Sequence, residues 1–454
     1  MQIFKNKVLR AILIPLCTLL FFAIGSGLLG SLLKPVNSSR YFRDEVAKAK
    51  KQGKQADILF LGTSRVYQGF VPSVFEEELG MELVLNGGSA TQRPESSYYF
   101  LKDMYDSVKP KVVVWGVQWN MLLEESTDSQ RLESAVTVYD RMSEWGRIRY
   151  AAHYFGSELW PEFLDLYRFR RDFRFDTIKS NLEKERDYVR NGHIPDTSRD
   201  NYYLEKGFIY ANVHCSDGNI PVMDENQDTF SADAIDPEKL AYLDKVREFC
   251  EEKGIRLYLV ATPIAMMNLY HLNGYQEAVD FYENYAAEHG LVFTNLNYLK
   301  DREELFPDSL MNDYVHLSGE GAEKMSRIYA EILKESLQGG ESAAEFYQDL
   351  EELKADIRRV VAVEAVIRKE EDRVCVEMDS LQNSWETPLY LVEYIPEEGA
   401  EAIRIRDWSS EKLAEFAWPE QDGGKLRISA YTGREEEPVA WQEYTLTREK
   451  EGEE

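Results

Sequence analysis

The sequence predicts an α/β domain with a parallel sheet, followed by a smaller all-β domain. Up to about residue 338, short apolar or β-branched runs alternate with segments of helical spacing. This alternation is typical of parallel strands that are covered by helices on both faces. From residue 360 onward the helical spacing stops, and apolar and polar residues alternate with a period of two. That period is typical of half-buried strands in an antiparallel sheet.

An apolar run without a charge precedes the α/β domain, at Ala11–Leu33. Its 23 residues are enough to span a bilayer and exceed the apolar core of most cleaved signal peptides. Lys5, Lys7 and Arg10 precede it. Because positive charge favours the cytoplasmic side, we expect residues 1–34 to be an uncleaved membrane anchor with the rest of the chain outside the cytoplasm. Cleavage within the run stays open as the alternative.

The α/β domain is expected at residues 56–338, after a polar, helix-like stalk at 35–55. Helical spacing occurs between the predicted strands, for example at 71–79 and 96–105. Strands and helices in this order predict three layers, with the sheet in the middle. The five predicted strands are Ile58–Leu61, Leu83–Asn86, Val112–Gly116, Leu257–Ala261 and Val292–Asn295.

A long aromatic and charged stretch interrupts this pattern at about residues 122–236. It is too long for an ordinary connection, so we expect an inserted, largely helical subdomain over the crevice of the sheet. Its most unusual part is YRFRRDFRF, residues 167–175. The arginines could bind an anionic substrate or a glycan. The preferred interpretation is that Phe169, Phe173 and Phe175 pack while the arginines are solvated or ion-paired.

The C-terminal part is predicted as a linker helix at 339–359 and a β-sandwich at 360–448. Five or six alternating strands separated by turn residues favour a sandwich of the immunoglobulin or fibronectin kind. Four tryptophans of this domain could stack on sugars, although core positions are the preferred interpretation. They are Trp385, Trp408, Trp418 and Trp441.

Composition limits the choice of partners. The chain carries 53 basic and 81 acidic residues, a formal charge of −28, which disfavours nucleic acid and anionic membrane surfaces as broad electrostatic partners. The four cysteines are far apart and form no metal-binding pattern. A Cys215–Cys250 disulfide stays open, with buried thiols preferred. We expect no cofactor and no metal, and a metal-dependent phosphoesterase finds little support because the sequence shows no dense His/Asp cluster beyond Asp313 and His316.

The candidate reactive residue is Ser64, which follows the first predicted strand within ADILFLGTSRVYQGF. The carboxyl end of such a strand is where an open α/β sheet presents functional groups. A serine hydroxyl needs a base to accept its proton, and that base needs an orienting group. The segment MNDYVHLSGEGAEKM places Asp313 three residues before His316, just ahead of a helix predicted to begin near Gly319. This spacing supplies both groups from one loop.

These motifs resemble the SGNH (GDSL-type) hydrolases. FLGTSR corresponds to the nucleophile block of that family, and DYVHLSGEGAEKMS to its C-terminal Asp/His block. The resemblance covers most of residues 56–335 apart from the insertion. It implies a flavodoxin-like three-layer fold, with Ser64 as nucleophile, His316 as general base and acid, and Asp313 as its orienting partner.

The resemblance also implies an oxyanion hole, which departs from the family pattern in one block. LVLNGGSATQ, residues 83–92, fits the second block, with Gly88 as the expected donor. The G-x-N-D spacing of the third block falls on GVQW, which gives Gln118 in place of asparagine, and Asn120 follows two residues later. We expect both amides to project from the same side of an extended segment.

The expected function is acyl-ester chemistry, as an esterase or an O-acyltransferase. The anchor and the stretch NGGSATQRPESSYYFLKDM also resemble membrane-anchored members that modify cell-envelope polymers, such as teichoic-acid D-alanylation proteins of the DltD type. This implies an exported polysaccharide as substrate, with a membrane-bound O-acyltransferase as a candidate partner. The alternative is a catalytically weak scaffold or glycan-binding component.

Overall fold

The computed structural model describes most of the chain from residue 32 onward. The described ranges are 32–123, 128–215, 229–340, 342–357, 359–370, 373–381, 387–397, 399–419, 423–433 and 439–446, with residues 18, 25, 27, 29 and 30. Most of the predicted anchor therefore lies outside the described residues. Within those residues, the structure contains no helix with the length and apolar character needed to cross a membrane.

The first part of the chain folds around a five-stranded parallel sheet with the order β2-β1-β3-β6-β7. This order is the flavodoxin-like one, and the α/β class is confirmed. The chain reverses direction across the sheet between β1 and β3, which places a crevice at their carboxyl ends. The strands of this part are β1 (Ile58–Leu61), β2 (Val84–Asn86), β3 (Val112–Gly116), β4 (Asn201–Glu205), β5 (Phe208–Ala211), β6 (Arg256–Ala261) and β7 (Val292–Asn295).

Burial on both faces explains why the strands are apolar throughout. All four residues of β1 are completely buried. Leu59 and Leu61 belong to the hydrophobic cluster on one face, whereas Ile58 and Phe60 belong to the cluster on the other. Such runs are typical of a parallel sheet between two helical layers.

The helix Ser38–Lys51, in the segment predicted as a stalk, packs against the core with Phe42, Val46 and Ala49 buried. The other α-helices are Ser64–Tyr67, Pro72–Leu79, Pro94–Val108, Asp128–Arg141, Glu144–His153, Asp165–Arg168, Phe175–Asn191, Pro237–Lys253, Met266–His271, Tyr275–His289, Arg302–Leu305, Gly319–Leu337 and Leu350–Asp356. Short 3₁₀ turns occur at Trp160–Phe163, Arg170–Asp172, Ala232–Ala234, Leu296–Tyr298 and Asp308–Leu310.

The described part of the insertion is not only helical, because it also contains the β4–β5 hairpin. The turn of this hairpin covers the outer edge of β2, where the Asn86 N–H donates to the Lys206 carbonyl at 2.8 Å. The prediction that the phenylalanines of YRFRRDFRF all pack is wrong for two of them. Phe173 is 59% exposed and Phe175 is 81% exposed.

The C-terminal region is antiparallel, as predicted, but it has seven described strands instead of five or six. They form two sheets, β11-β10-β13-β14 and β12-β9-β8, around a shared apolar core. The predicted linker helix is shorter than expected and spans only Leu350–Asp356. The strands are β8 (Ala362–Lys369), β9 (Arg373–Leu381), β10 (Leu389–Ile395), β11 (Ile403–Ser409), β12 (Leu413–Ala417), β13 (Gly424–Tyr431) and β14 (Ala440–Leu446).

Two smaller expectations concern the cysteines and the tryptophans of the C-terminal domain. Cys215 and Cys250 are free, so the disulfide left open by the sequence is absent. Trp408, Trp418 and Trp441 are half-buried, and Trp408 lies against the Tyr431 ring with centroids 4.4 Å apart. Trp385 lies outside the described residues.

Candidate active site

Ser64 begins a short helix at the carboxyl end of β1, as the sequence predicts. The turn before it requires glycine at position 62, where φ is +137° and a Cβ would lie 2.6 Å from a methyl carbon of Val66. The residue ahead of Ser64 is Thr63, whose side chain makes no capping hydrogen bond. The first N–H groups of a helix have no acceptor within the helix, so the turn presents backbone donors next to the hydroxyl.

Asp313 and His316 share one tight turn. The Asn312 N–H donates to the His316 carbonyl at 2.8 Å, which closes the turn. The helix Gly319–Leu337 follows directly, and the Ser318 hydroxyl caps it by accepting the Gly321 N–H at 3.2 Å. This local structure fixes the position of the imidazole relative to the sheet.

The structure brings the three predicted side chains together. His316 Nε2 lies 2.7 Å from Ser64 Oγ, although 252 residues separate them in sequence. On the other side of the ring, His316 Nδ1 lies 2.7 Å from Asp313 Oδ2. The carboxylate can only accept from Nδ1, so this contact favours the tautomer whose Nε2 accepts the serine proton.

Asp313 is held in its charged form. Burial would raise the pKa of its carboxyl, but the hydrogen bond and charge of His316 and two backbone N–H groups outweigh burial and lower that pKa. The backbone donors are the N–H groups of Val315 and His316, both 2.8 Å from Oδ1. A carboxylate that stays ionised can orient the ring and stabilise an imidazolium.

Gly88 is not a free donor in this structure. Its N–H donates to the Asn86 side-chain oxygen at 3.1 Å. The same asparagine donates to the carbonyls of Val66 and Phe70, both at 2.8 Å. The loop is also held from the insertion, because Arg141 donates to the Gly88 carbonyl and, at 3.0 Å, to that of Asn86. The loop must shift slightly, or exchange this bond, before the Gly88 N–H can bind an oxyanion.

Gln118 lies close to the turn that precedes Ser64. Its Oε1 accepts a hydrogen bond from the Thr63 hydroxyl at 3.3 Å. Because the Gln118 side-chain oxygen faces Thr63, the NH₂ group of the same amide points away from Thr63. This NH₂ group can donate to another acceptor.

Asn120 follows in a tight turn. The expected extended segment is therefore wrong, because the Met121 N–H closes a turn onto the Gln118 carbonyl at 3.1 Å. The Asn120 side-chain oxygen is buried and has no hydrogen-bond partner in the described part of the chain. Within the described part of the chain, no hydrogen bond joins the Asn120 side chain to Ser64.

Sequence reasoning missed Gln92, which ties the first two loops together. Its side-chain oxygen accepts the Gly62 N–H at 2.8 Å, and its NH₂ group donates to the Gly87 carbonyl at 3.0 Å. Gln92 is buried. A glutamine just before a helix has no sequence signature of such a role, and only the juxtaposition of two strands reveals it.

Arg65 was also missed. Its guanidinium lies over the Trp119 ring, 4.0 Å from the centroid. Burial lowers the pKa of this group, while Tyr275 and Asp313 act in the opposite direction. The site therefore has a cation stacked on Trp119 and near the Asp313 carboxylate, in a protein of strongly negative net charge.

Among the described residues, no group of three or more His, Cys, Asp or Glu side chains is placed to hold a metal ion. The geometry that is present is that of a serine, an imidazole and a carboxylate in series.

Comparison with known proteins adds the following. One protein-family model matches residues 221–338, less than half of the chain. No curated protein matches. Among solved structures, a GDSL-like lipase from Bacteroides thetaiotaomicron is 10% identical, covers 66% of this chain and 100% of its own, with a TM-score of 0.29.

Two further solved structures are similar to this chain. A gut microbial diltiazem-metabolizing enzyme is 13% identical, with 79% of this chain and 61% of its own covered and a TM-score of 0.31. A two-domain esterase active on acetylated mannans, co-crystallised with mannopentaose, is 10% identical, with 90% and 96% covered and a TM-score of 0.27. At these identities and TM-scores, none of them assigns an activity to this chain.

Proposed function

We propose that this protein is a serine esterase or O-acyltransferase of the SGNH type. The observation that carries the proposal is the series of contacts from Ser64 Oγ to His316 Nε2, 2.7 Å, and from His316 Nδ1 to Asp313 Oδ2, 2.7 Å. Three residue types with complementary roles meet at the carboxyl end of β1, where the fold presents functional groups. The sequence motifs around all three residues support the same family.

The reaction would proceed by two acyl transfers. Ser64 Oγ attacks the carbonyl carbon of an ester while its proton moves to His316 Nε2, and Asp313 stabilises the resulting imidazolium. The tetrahedral intermediate collapses as His316 returns the proton to the leaving alcohol, which leaves an acyl-Ser64. Water or a second hydroxyl then attacks the acyl group with the same base, and Ser64 is restored. Water makes the protein an esterase, and another hydroxyl makes it a transferase.

The oxyanion would be stabilised by the backbone N–H of Ser64 and by the Gln118 amide. The first-turn N–H groups lie beside the nucleophile because Ser64 begins its helix. The contact from Thr63 to Gln118 Oε1 directs the amide NH₂ away from Thr63. The Gly88 N–H can act as a further donor only if its hydrogen bond to the Asn86 side chain breaks. Such donors are worth on the order of 10²–10³ in rate each.

For the setting of the reaction, we propose an acylated cell-envelope or exported polysaccharide as substrate, outside the cytoplasm. The apolar run Ala11–Leu33 and the basic residues before it support a membrane anchor with this orientation. A membrane-bound O-acyltransferase is a candidate partner that would supply or share the acyl group.

The test uses the purified full chain and p-nitrophenyl acetate. We expect hydrolysis by the wild type and loss of at least about 10³-fold in Ser64→Ala, because the nucleophile is removed. The matched control is Ser73→Ala, at an exposed serine of the neighbouring helix, which should keep full activity. Undiminished hydrolysis in Ser64→Ala would remove Ser64 from its proposed role.

One observation favours the alternative of a catalytically weak scaffold. The Gly88 N–H, the expected second oxyanion donor, is bound to Asn86. If the wild type hydrolyses no activated ester and no reagent modifies Ser64, the scaffold proposal is favoured over the enzyme.

A further inference from the structure

The last residues of the apolar N-terminal run are held against the insertion. Gly30 approaches Asp165 so closely that a Cβ would lie 2.7 Å from the Asp165 Cβ. The Asn181 amide donates to the Leu33 carbonyl at 2.8 Å. The charged residue that ends the run, Lys34, lies 3.5 Å from Asp165 Oδ1. Asp165 and Asn181 therefore mark where the run leaves the folded part of the protein.

The part of the insertion around these two contact points exposes large apolar side chains. We call Leu164, Phe173, Phe175 and Leu182 the apolar patch; they are 47%, 59%, 81% and 48% exposed. Phenylalanine and leucine are normally buried, and clusters of exposed apolar residues usually mark a surface that contacts something else. Leu164 and Leu182 are adjacent in sequence to the contact points Asp165 and Asn181, and Phe173 and Phe175 lie between them in the chain.

The charge near the patch is opposite in sign to that of the whole protein. YRFRRDFRF contains four arginines and one aspartate, a local charge of +3, whereas the chain has −28. Arg168 forms ion pairs within the protein, since its guanidinium lies 2.9 Å from the carboxylates of both Asp140 and Asp165. Arg170, Arg171 and Arg174 make no ion pair with any described residue. Apolar side chains mixed with arginines are typical of segments that lie in the interface of an anionic bilayer.

We propose that the apolar patch lies in the headgroup region of the membrane, with the three arginines on anionic lipid phosphates. This proposal rests on the membrane anchor proposed above, but not on catalysis at Ser64. A single anchor allows the rest of the chain to rotate freely, whereas a second contact beside it fixes the orientation of the α/β domain on the bilayer. The site would then keep a constant height above the membrane, which suits an envelope polymer or a membrane-bound partner.

The experiment places a polarity-sensitive fluorophore at a single cysteine of the full chain, with the native cysteines replaced by alanine. The protein is reconstituted in vesicles of phosphatidylcholine and phosphatidylglycerol, with and without lipids brominated near the headgroup, or along the acyl chains for the sample that keeps Cys17. The test position is Phe175→Cys. The matched control is Ile403→Cys, an apolar side chain that is 52% exposed in the C-terminal domain. A third sample keeps only Cys17, which reports on the N-terminal run itself.

We expect a blue shift and a loss of fluorescence at Phe175→Cys with brominated lipid, and neither at Ile403→Cys. The Phe175→Cys signal should weaken when Arg170, Arg171 and Arg174 are all changed to Gln, or when phosphatidylglycerol is left out. Quenching at Cys17 without quenching at Phe175→Cys would overturn the patch proposal and leave the anchor standing. Absence of quenching at both positions would overturn both. Neither result depends on esterase activity. The experiment therefore distinguishes failure of the proposed reaction at Ser64 from failure of the proposed membrane contact.

Discussion

The two sides of Ser64 are built differently. On the base side, His316 and Asp313 come from one turn and form an unbroken series of hydrogen bonds to the hydroxyl. On the oxyanion side, the expected donors come from separate loops, and the Gly88 N–H is already bound to Asn86. The comparison teaches that the pairing of His316 with Asp313 depends on local chain geometry, whereas the oxyanion side depends on how distant segments pack.

Removal of the base should have the largest effect. In His316→Ala we expect a loss of at least about 10⁴-fold in kcat for p-nitrophenyl acetate, because the serine proton has no acceptor. The control is His289→Ala, at the end of the helix that precedes β7 and therefore near the amino end of that strand, whereas Ser64 lies at the carboxyl end of β1. Equal activity of the two variants would contradict the role of His316 as the base that accepts the serine proton.

Removal of the charge that orients the base should have a smaller effect. Asp313→Asn keeps the size of the side chain but can donate to His316 and favour the wrong tautomer, so we expect a loss of about 10²–10⁴-fold in kcat. Asp301→Asn is the control, because Asp301 is exposed and asparagine tolerates its positive φ of 56°. Steady-state kinetics that show the same kcat for wild type and Asp313→Asn contradict the assigned role.

The oxyanion side is tested at Gln118. In Gln118→Ala we expect a loss of about 10²-fold in kcat with little change in KM, since the amide is needed mainly in the transition state. Thr63→Val removes the hydroxyl that orients the amide and should cost less, about 5-fold, as for one hydrogen bond. An unchanged kcat in Gln118→Ala would limit the oxyanion hole to backbone donors.

The smallest expected effect concerns stability and pH. The pKa of Asp313 is lowered in the folded protein, so its ionised form stabilises the fold. Because a lowered pKa contributes stability above the unfolded value of about 3.8, that contribution is complete at neutral pH and disappears as the pH falls through the folded pKa. Urea titrations should therefore find the difference in unfolding free energy between wild type and Asp313→Asn shrinking below pH ~4. A constant difference would show that the carboxylate charge does not contribute.

The sequence predicts the sheet well because its strands are buried on both faces. Ile58–Leu61, Val112–Gly116 and Val292–Asn295 have the same bounds in the structure as in the sequence analysis. The turn at Asp313 and His316 is equally local, and the sequence predicts the helix after it at Gly319. In these regions short-range patterns and long-range packing require the same structure.

The sequence predicts less where distant segments compete for the same polar groups. Nothing around Gly88 indicates that the Asn86 side chain binds its N–H, because that contact depends on Asn86 also holding Val66 and Phe70. The β4–β5 hairpin was missed because it lies within the stretch predicted to be largely helical, and its turn, through Lys206, covers the edge of β2. Phe175 was expected to pack but is exposed, since composition does not distinguish a packed ring from an exposed one.

The most direct test of the active-site proposal is covalent labelling of the full chain with a fluorophosphonate, followed by peptide mapping. Such reagents modify serines whose hydroxyl is activated by a neighbouring base. We expect one modified residue, Ser64, in the wild type and none in His316→Ala. Labelling of another serine, or no labelling of the folded wild type, would contradict the assignment of Ser64 as the nucleophile.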